Sequence, residues 1–460
     1  MSCPQQGTKA SQTSEDCLYL NIYAPPEEDA PVGGLPVLLF IHGGSFQIGS
    51  ASIGLYDATN LVSEFGRVIV VTIQYRLGVF GFLAAHELVS ETTEGIAGNY
   101  GLLDQKTAIE WVHKHIVHFG GDPSRITIWG QSAGASSVHY HLHLLPPGLI
   151  RRAIISSSPI MAPPPLQNAR PQFERLCAAL GIETERKDTM EKLRNVEPQK
   201  LLKAALGVKE YWNPVVDGVV FKEGFNEGWQ GEGWKAAGVD AVVVGTMKDE
   251  GSILTLVSPP MFTDAIQKTY PNAIITDEVL SPIYDSKSYP TSYIRAATII
   301  SDARYQAPNS RLVRYLAADP SRRVYRFRFD HVAPLVQFVA SLVVRVGNGT
   351  WWKPWTWLDE EHGAGAFHVG DLVYLFLHTW LLWGRDEVRI AKKMAGLWIG
   401  FVESGEMGPE WEIVGPEGEE TANNILVVGK DKKITMEREV FRAKQVTWWN
   451  EQVRPVNRDG

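Results

Sequence analysis

The chain reads as an α/β protein, with a central, mostly parallel sheet, helices on both faces and helical inserts. Three observations carry that reading. Short apolar, β-branched runs recur along the chain, and several lead straight into glycine-rich turns or charged loops, as strands of an open parallel sheet do at their C-terminal ends. Candidate serine, carboxylate and histidine residues follow one another in that order, which is the order of the α/β-hydrolase fold; chymotrypsin-like and subtilisin-like proteases use others. Finally, 460 residues with 44% hydrophobic content suffice for a large core. No low-complexity linker or internal repeat divides the chain, so one large domain over residues 1–460 is expected.

The first strand candidate, Leu18-Tyr19-Leu20-Asn21-Ile22-Tyr23, alternates in the manner of a half-buried strand. Pro36-Val37-Leu38-Leu39-Phe40 is apolar throughout and reads as a parallel strand, followed by Ile41-His42-Gly43-Gly44-Ser45-Phe46. Backbone N–H groups in such a turn are candidate donors to a developing negative charge. The plain alternative is an ordinary Gly-Gly turn.

Ile126-Thr127-Ile128-Trp129 reads as a buried strand, and Ala133-Gly134-Ala135-Ser136-Ser137-Val138 as the start of a helix. Ser132 therefore sits on a sharp strand-to-helix turn. The pattern Gly130-Gln131-Ser132-Ala133-Gly134 is weak alone, since 42 glycines in 460 residues supply roughly 0.2 such matches by chance. Its setting strengthens it. At a strained turn between strand and helix only small neighbours fit, which accounts for Gly130 and Gly134.

A hydroxyl is a poor nucleophile at neutral pH and needs an imidazole to take its proton and a carboxylate to orient that imidazole. Ala241-Val242-Val243-Val244-Gly245 is another buried strand, and the loop Thr246-Met247-Lys248-Asp249-Glu250-Gly251 leaves its C-terminal end. Asp249 and Glu250 both qualify as the orienting acid. Four histidines follow them: His331, His362, His368 and His378. His331 comes after the strand candidate Val324-Tyr325-Arg326-Phe327-Arg328-Phe329 without glycine context. His378 lies in an apolar run from Leu372 through Leu377 to Trp383 that reads as a helix, where a packed or capping histidine is expected. His362 and His368 share one loop, Glu361 to His368. His368 is preferred, because Asp371 after it stands where a carboxylate stabilises the next helix's N-terminus; His362 is the runner-up.

Other features point less firmly. His139, His141 and His143 alternate, but on a helix only the first and last share a face, and no carboxylate or cysteine ligand accompanies them, so packed or surface histidines are expected. Trp351, Trp352, Trp355 and Trp357 crowd one stretch, either as a pocket wall or as packing beneath the catalytic loop. The stretch Pro159 to Pro171 and residues 259–290 read as loops or insert edges. A net charge of −8 and a pI near 5.9 speak against a nucleic-acid partner. No apolar run reaches 18 residues, and Met1 to Gln12 is too polar for a secretory signal. Cys177 reads as a buried free thiol, and Asn348-Gly349-Thr350 is a glycosylation sequon of little weight.

Taken together, these segments resemble the type-B carboxylesterase/lipase family, which includes cholinesterases and fungal lipases; the look is closest to fungal carboxylesterases. Glu15-Asp16-Cys17-Leu18-Tyr19-Leu20-Asn21-Ile22-Tyr23 is similar to the family's second signature. Gln74-Tyr75-Arg76-Leu77-Gly78 with Gly81-Phe82-Leu83, Asn99 to Gln105, Phe119 to Arg125, and Trp212 to Gly218 also match the family's blocks. The resemblance implies Ser132 as nucleophile, Glu250 as orienting acid and His368 as general base. It implies Gly44, Ser45 and Ala133 as oxyanion donors, with Gly43 supporting the loop. It further implies a Cys3–Cys17 bridge, as in secreted relatives; closing that roughly 15-residue loop adds about 3 kcal/mol.

Four departures qualify the match. Gln131 stands where cholinesterases carry Glu, and no Trp lies between Cys3 and Cys17; both argue against a choline ester. That Cys-to-Cys segment is short for a mobile lid. Only 14 residues precede Glu15, where the family has several strands, so the chain is expected to lack the family's N-terminal strands, and a signal peptide could have gone with them. The reading is a monomeric serine carboxylesterase acting on small-molecule esters without cofactor, metal or membrane span, with secretion favoured by the resemblance. Acyl transfer or lactone opening on the same three residues is the rival within enzymes. A non-catalytic binding or adhesion module is the rival outside them.

Overall fold

The computed structural model describes residues 1–26, 31–159, 162–184, 186–208, 210–222, 238–252, 254, 266–267, 270, 275–334, 336, 365–429 and 431–452. Nine strands lie among the described residues. The chain forms two compact units: Met1–Val62 with Gly66–Ala153 and Ala162–Val239, and Ser63–Phe65 with Ile154–Met161 and Asp240–Gly460. β5 (Arg152–Ser156) contributes residues to both.

In the first unit, β1 is Leu20–Tyr23, β2 Leu35–Ile41, β3 Ile69–Ile73 and β4 Gly121–Gln131. β2 lies parallel to both β3 and β4, and β1 pairs antiparallel with β3. The burial follows the sequence pattern. Every residue of β2 and β3 is buried, matching their unbroken apolar runs, whereas edge strand β1 is half-buried along its length. A bidentate pair from Arg76 to Asp104, at 2.7 and 2.6 Å, ties the exit of β3 to the helix Tyr100–His115. Cys3 and Cys17 are joined by a disulfide, and Cys177 is free and buried.

In the second unit, β6 is Ala241–Met247, β7 Arg323–Phe329, β8 Asn424–Val428 and β9 Ile434–Arg438. β6, β7 and β8 run parallel, and β9 closes the edge antiparallel to β8. The arginines of β7 are reconciled with burial by partners: Arg328 donates to Asp330 at 2.7 Å and to Glu439 at 2.6 Å. The amphipathic helix Arg385–Ser404 buries Ile390, Met394, Trp398 and Phe401 on one face and ends at Gly405, whose φ of 79° suits only glycine without strain.

The apolar run after His368 departs from expectation. It forms a helix only over Leu372–Leu375; Leu377 adopts a φ of 54° and ends it, and Thr379–Leu381 makes a short 3₁₀ turn. Trp380 and Trp383 are exposed. Hydrophobicity alone overstated the helix because it does not register a left-handed residue. Nor does Asp371 cap this helix with its side chain, although it occupies the N-cap position.

Candidate active site

The tight turn after β4 is built by glycine. Ser132 has φ 59° and ψ −125°, a conformation most side chains avoid. A Cβ on Gly130 would collide with the Gly134 carbonyl, and one on Gly134 with the Ile41 carbonyl. The helix Ala133–Leu144 therefore starts directly against β2 and β4, with Ser132 at its N-terminus.

The loop leaving β2 lies beside it. A Cβ on Gly43 would come within 2.8 Å of the Ser132 Cβ, so glycine there lets the loop backbone approach the serine. Gly44 (φ 111°), Ser45 (φ 57°) and Phe46 (φ 63°) all take positive φ. Among the described residues, no backbone carbonyl accepts the N–H of Gly44, Ser45 or Ala133. Side chains that sequence reasoning did not single out hold the loop. Tyr75 donates to the His42 carbonyl at 2.9 Å and its ring stacks on the imidazole at 4.4 Å. Gln5 accepts from the Gly49 N–H at 2.7 Å and donates to its carbonyl at 2.8 Å. Burial pushes the His42 imidazole down to about 4, so it is neutral and serves as packing.

In the second unit the loop after β6 presents two adjacent carboxylates that go opposite ways. Glu250 is fully buried; its Oε1 accepts the Met247 N–H at 2.8 Å, and its Oε2 lies 2.5 Å from Nδ1 of His368. His368 is itself buried, with the Tyr305 ring 5.1 Å from its own. Asp249 instead binds the backbone of the histidine loop: its N–H donates to the Ala366 carbonyl at 2.9 Å, and its Oδ2 accepts the Ala366 N–H at 3.0 Å. Gly365, with φ 57°, is required because a Cβ would meet the Asp249 carboxylate.

Arg442, which sequence reasoning missed, stands behind this arrangement at the start of the helix Ala443–Glu451. It pairs with Asp249 at 3.6 Å and with buried Asp302 at 3.0 Å. Asp302 also accepts from the Tyr284 hydroxyl at 3.0 Å, and Trp449 donates to that hydroxyl at 2.7 Å. No motif marks Arg442; its only signal is a lone arginine before an aromatic helix.

The remaining candidates fall elsewhere. His331 is buried against Glu387 at 2.8 Å, away from Glu250 in its bonding. His139, His141 and His143 pack inside the first unit, with His141 at 2.9 Å from Gln105 Oε1. Burial holds His141 down to about 3 and His143 to about 4. His362, Trp351, Trp352, Trp355, Trp357 and Asn348 lie outside the described residues. A cavity of about 540 Å³ in the first unit is lined by Arg76, Phe80, Tyr100 and Arg194, and by no residue of the Ser132 turn or of the loop after β2. No described helix is long and apolar enough to cross a membrane.

Comparison with known proteins gives the family. A family model described as the carboxylesterase family matches residues 1–449. The para-nitrobenzyl esterase of Bacillus subtilis is 30% identical over 469 aligned positions, covering 96% of this chain and 86% of that protein. An acetylcholinesterase of Bungarus fasciatus is 28% identical, covering 95% of this chain and 72% of its own length. Among solved structures, a carboxylesterase of Geobacillus stearothermophilus superposes with a TM-score of 0.75 at 29% identity, over 97% of this chain and 88% of that one. The chain thus belongs to the carboxylesterase family of α/β-hydrolases and hydrolyses carboxylic esters by the serine mechanism general to that family.

Proposed function

We propose that Ser132 is the nucleophile, His368 the general base and Glu250 the acid that orients it, within one catalytic domain formed by the whole chain. The observation that carries this reading is the 2.5 Å contact between Glu250 Oε2 and His368 Nδ1, both buried. It fixes the tautomer, leaving Nε2 to take the Ser132 proton. Ser132 Oγ then attacks the ester carbonyl carbon, and the oxygen of that carbonyl gains the charge. Backbone N–H groups of Gly44, Ser45 and Ala133, with Gly43 keeping the loop close, receive it; one such donor is worth about 2.7–4 kcal/mol of barrier. The imidazolium returns the proton to the departing alcohol, and water repeats the cycle on the acyl-serine.

The favoured substrates are small esters whose alcohol carries no positive charge. Gln131, buried beside Ser132, is neutral, and a quaternary ammonium would find no carboxylate from it. A single chain suffices for catalysis, and the Cys3–Cys17 bridge suits an oxidising, extracellular setting. The test is turnover of p-nitrophenyl and choline esters by the parent and Ser132→Ala. The variant should lose at least about three orders of magnitude with the fold intact, and the parent should favour the p-nitrophenyl ester. Near-parental turnover by the variant removes the nucleophile assignment, and a preference for choline removes the substrate assignment.

A further inference from the structure

A widened helical turn lies against the loop that carries Glu250. Ser292–Ser301 and Ala307–Ala317 are α-helical, and Asp302–Gln306 joins them as a π-turn, in which the Ala307 N–H donates to the Asp302 carbonyl five residues back. Pro308 accounts for the widening. It has no N–H, and in a regular helix its ring would collide with the Arg304 carbonyl, so the turn before it opens. The facing of the side chains changes with it. Residues five apart point roughly 140° apart on an α-helix, whereas an i→i+5 turn brings them to one side. Ser301 and Gln306 are such a pair, and both reach the same loop. Ser301 Oγ accepts the Gly251 N–H at 2.9 Å, and Gln306 Nε2 donates to the Met247 carbonyl at 2.8 Å. A Cβ on Gly251 would strike the Ala297 carbonyl, so the loop rests directly on the first of these helices. Tyr305, beside Gln306, sets its ring 5.1 Å from that of His368.

We propose that Gln306 is a positioning residue of the ester hydrolysis, which holds Glu250 in reach of His368 through Met247. Its amide makes two bonds of opposite kind: Oε1 accepts from the Thr246 hydroxyl at 3.0 Å, while Nε2 serves the Met247 carbonyl. Thr246 and Met247 end β6, and all three residues are buried. Met247 in turn donates its N–H to Glu250 Oε1 at 2.8 Å, which leaves Oε2 to meet His368 Nδ1 at 2.5 Å. The contacts from the π-turn to the imidazole are therefore continuous. A carboxylate orients an imidazole only while its own second oxygen is held, so a shift of the Met247 backbone is passed on to the histidine. Methionine at position 306 would fill a similar volume but would leave the Met247 carbonyl and the Thr246 hydroxyl without these bonds.

The inference rests on Glu250 and His368 being the acid and base of the reaction. The test compares the parent with Gln306→Met by steady-state kinetics and by proton NMR of the His368 Nδ1–H, whose resonance lies far downfield while a buried carboxylate holds it; its loss in His368→Ala assigns it. In Gln306→Met, kcat should fall about ten- to a hundred-fold, the effect of a small misplacement of a catalytic group, with KM unchanged. The resonance should move upfield or broaden away. Lower thermal stability alone is what any buried polar group would give. A variant that melts lower yet keeps the parental kcat or the parental resonance therefore overturns the proposal, and so does a raised KM at unchanged kcat. Should Gln306→Met not fold, Thr246→Val removes only the hydroxyl on which Gln306 Oε1 rests. It should lower kcat and move the resonance in the same directions by less, and parental values of both overturn the proposal. Turnover retained by His368→Ala defeats the base assignment itself, whereas a dead His368→Ala beside a Gln306→Met of parental kcat defeats only this inference.

Discussion

Asp249 and Glu250 differ by one methylene and one position, yet their surroundings give them separate work. Glu250 is fully enclosed and its two oxygens are spent on the Met247 N–H and His368. Asp249 is partly exposed and grips the backbone of Ala366. Removing the charge from Glu250 leaves the imidazole free to take the wrong tautomer, so Glu250→Gln should lower kcat by roughly three to four orders of magnitude. Asp249→Asn keeps one acceptor for Ala366 and should lower kcat by at most about ten-fold, while costing about 1–3 kcal/mol of stability. Steady-state kinetics with denaturant titration of both variants checks this; a more damaging Asp249→Asn would reverse the two roles. The sequence left this pair open because adjacent loop positions carry no sign of which side chain turns inward. The serine was easier to read, since Gly130 and Gly134 exist only to let a strained Ser132 turn form.

Between elements, the loop after β6, the histidine loop and the helix Ala443–Glu451 are bound together through Arg442. Its removal would strand the buried Asp302 without its cation, a loss of about 3–5 kcal/mol, and would release Asp249 from behind. Arg442→Gln should therefore be less stable and should lose kcat more than KM, and Arg442→Lys should restore part of both. Unfolding curves and steady-state kinetics of the two variants measure this; an Arg442→Gln variant of parental stability would contradict the clamp. Strands β2 and β6 were legible as apolar runs bounded by turn residues, and β4 and β7 through the β-branched and aromatic residues they carry, although the polar first half of β4 was not. The clamp was not, because its partners are far apart along the chain and no local pattern joins them. The short helix at Leu372–Leu375 was overextended for a related reason: the left-handed Leu377 that ends it is an ordinary apolar residue in the sequence.

For the whole molecule, the first unit carries Ser132 and the loop from Gly43 to Phe46, and the second carries Glu250 and His368. The order in which these segments occur along the chain, and the blocks between them, made the fold and the family legible, and the match over residues 1–449 bears both out. Pocket shape was not legible, because it depends on side chains contributed by many separate loops. The central claim is that one serine is activated by the buried histidine–carboxylate pair. The most direct measurement is covalent labelling by a fluorophosphonate ester, with the modified peptide identified by mass spectrometry and the labelling rate followed in the parent and in His368→Ala. The account predicts a single adduct at Ser132 in the parent and, in the variant, labelling slowed by at least about two orders of magnitude for want of the general base. An adduct on another residue, or labelling of Ser132 at an unchanged rate without His368, would contradict it.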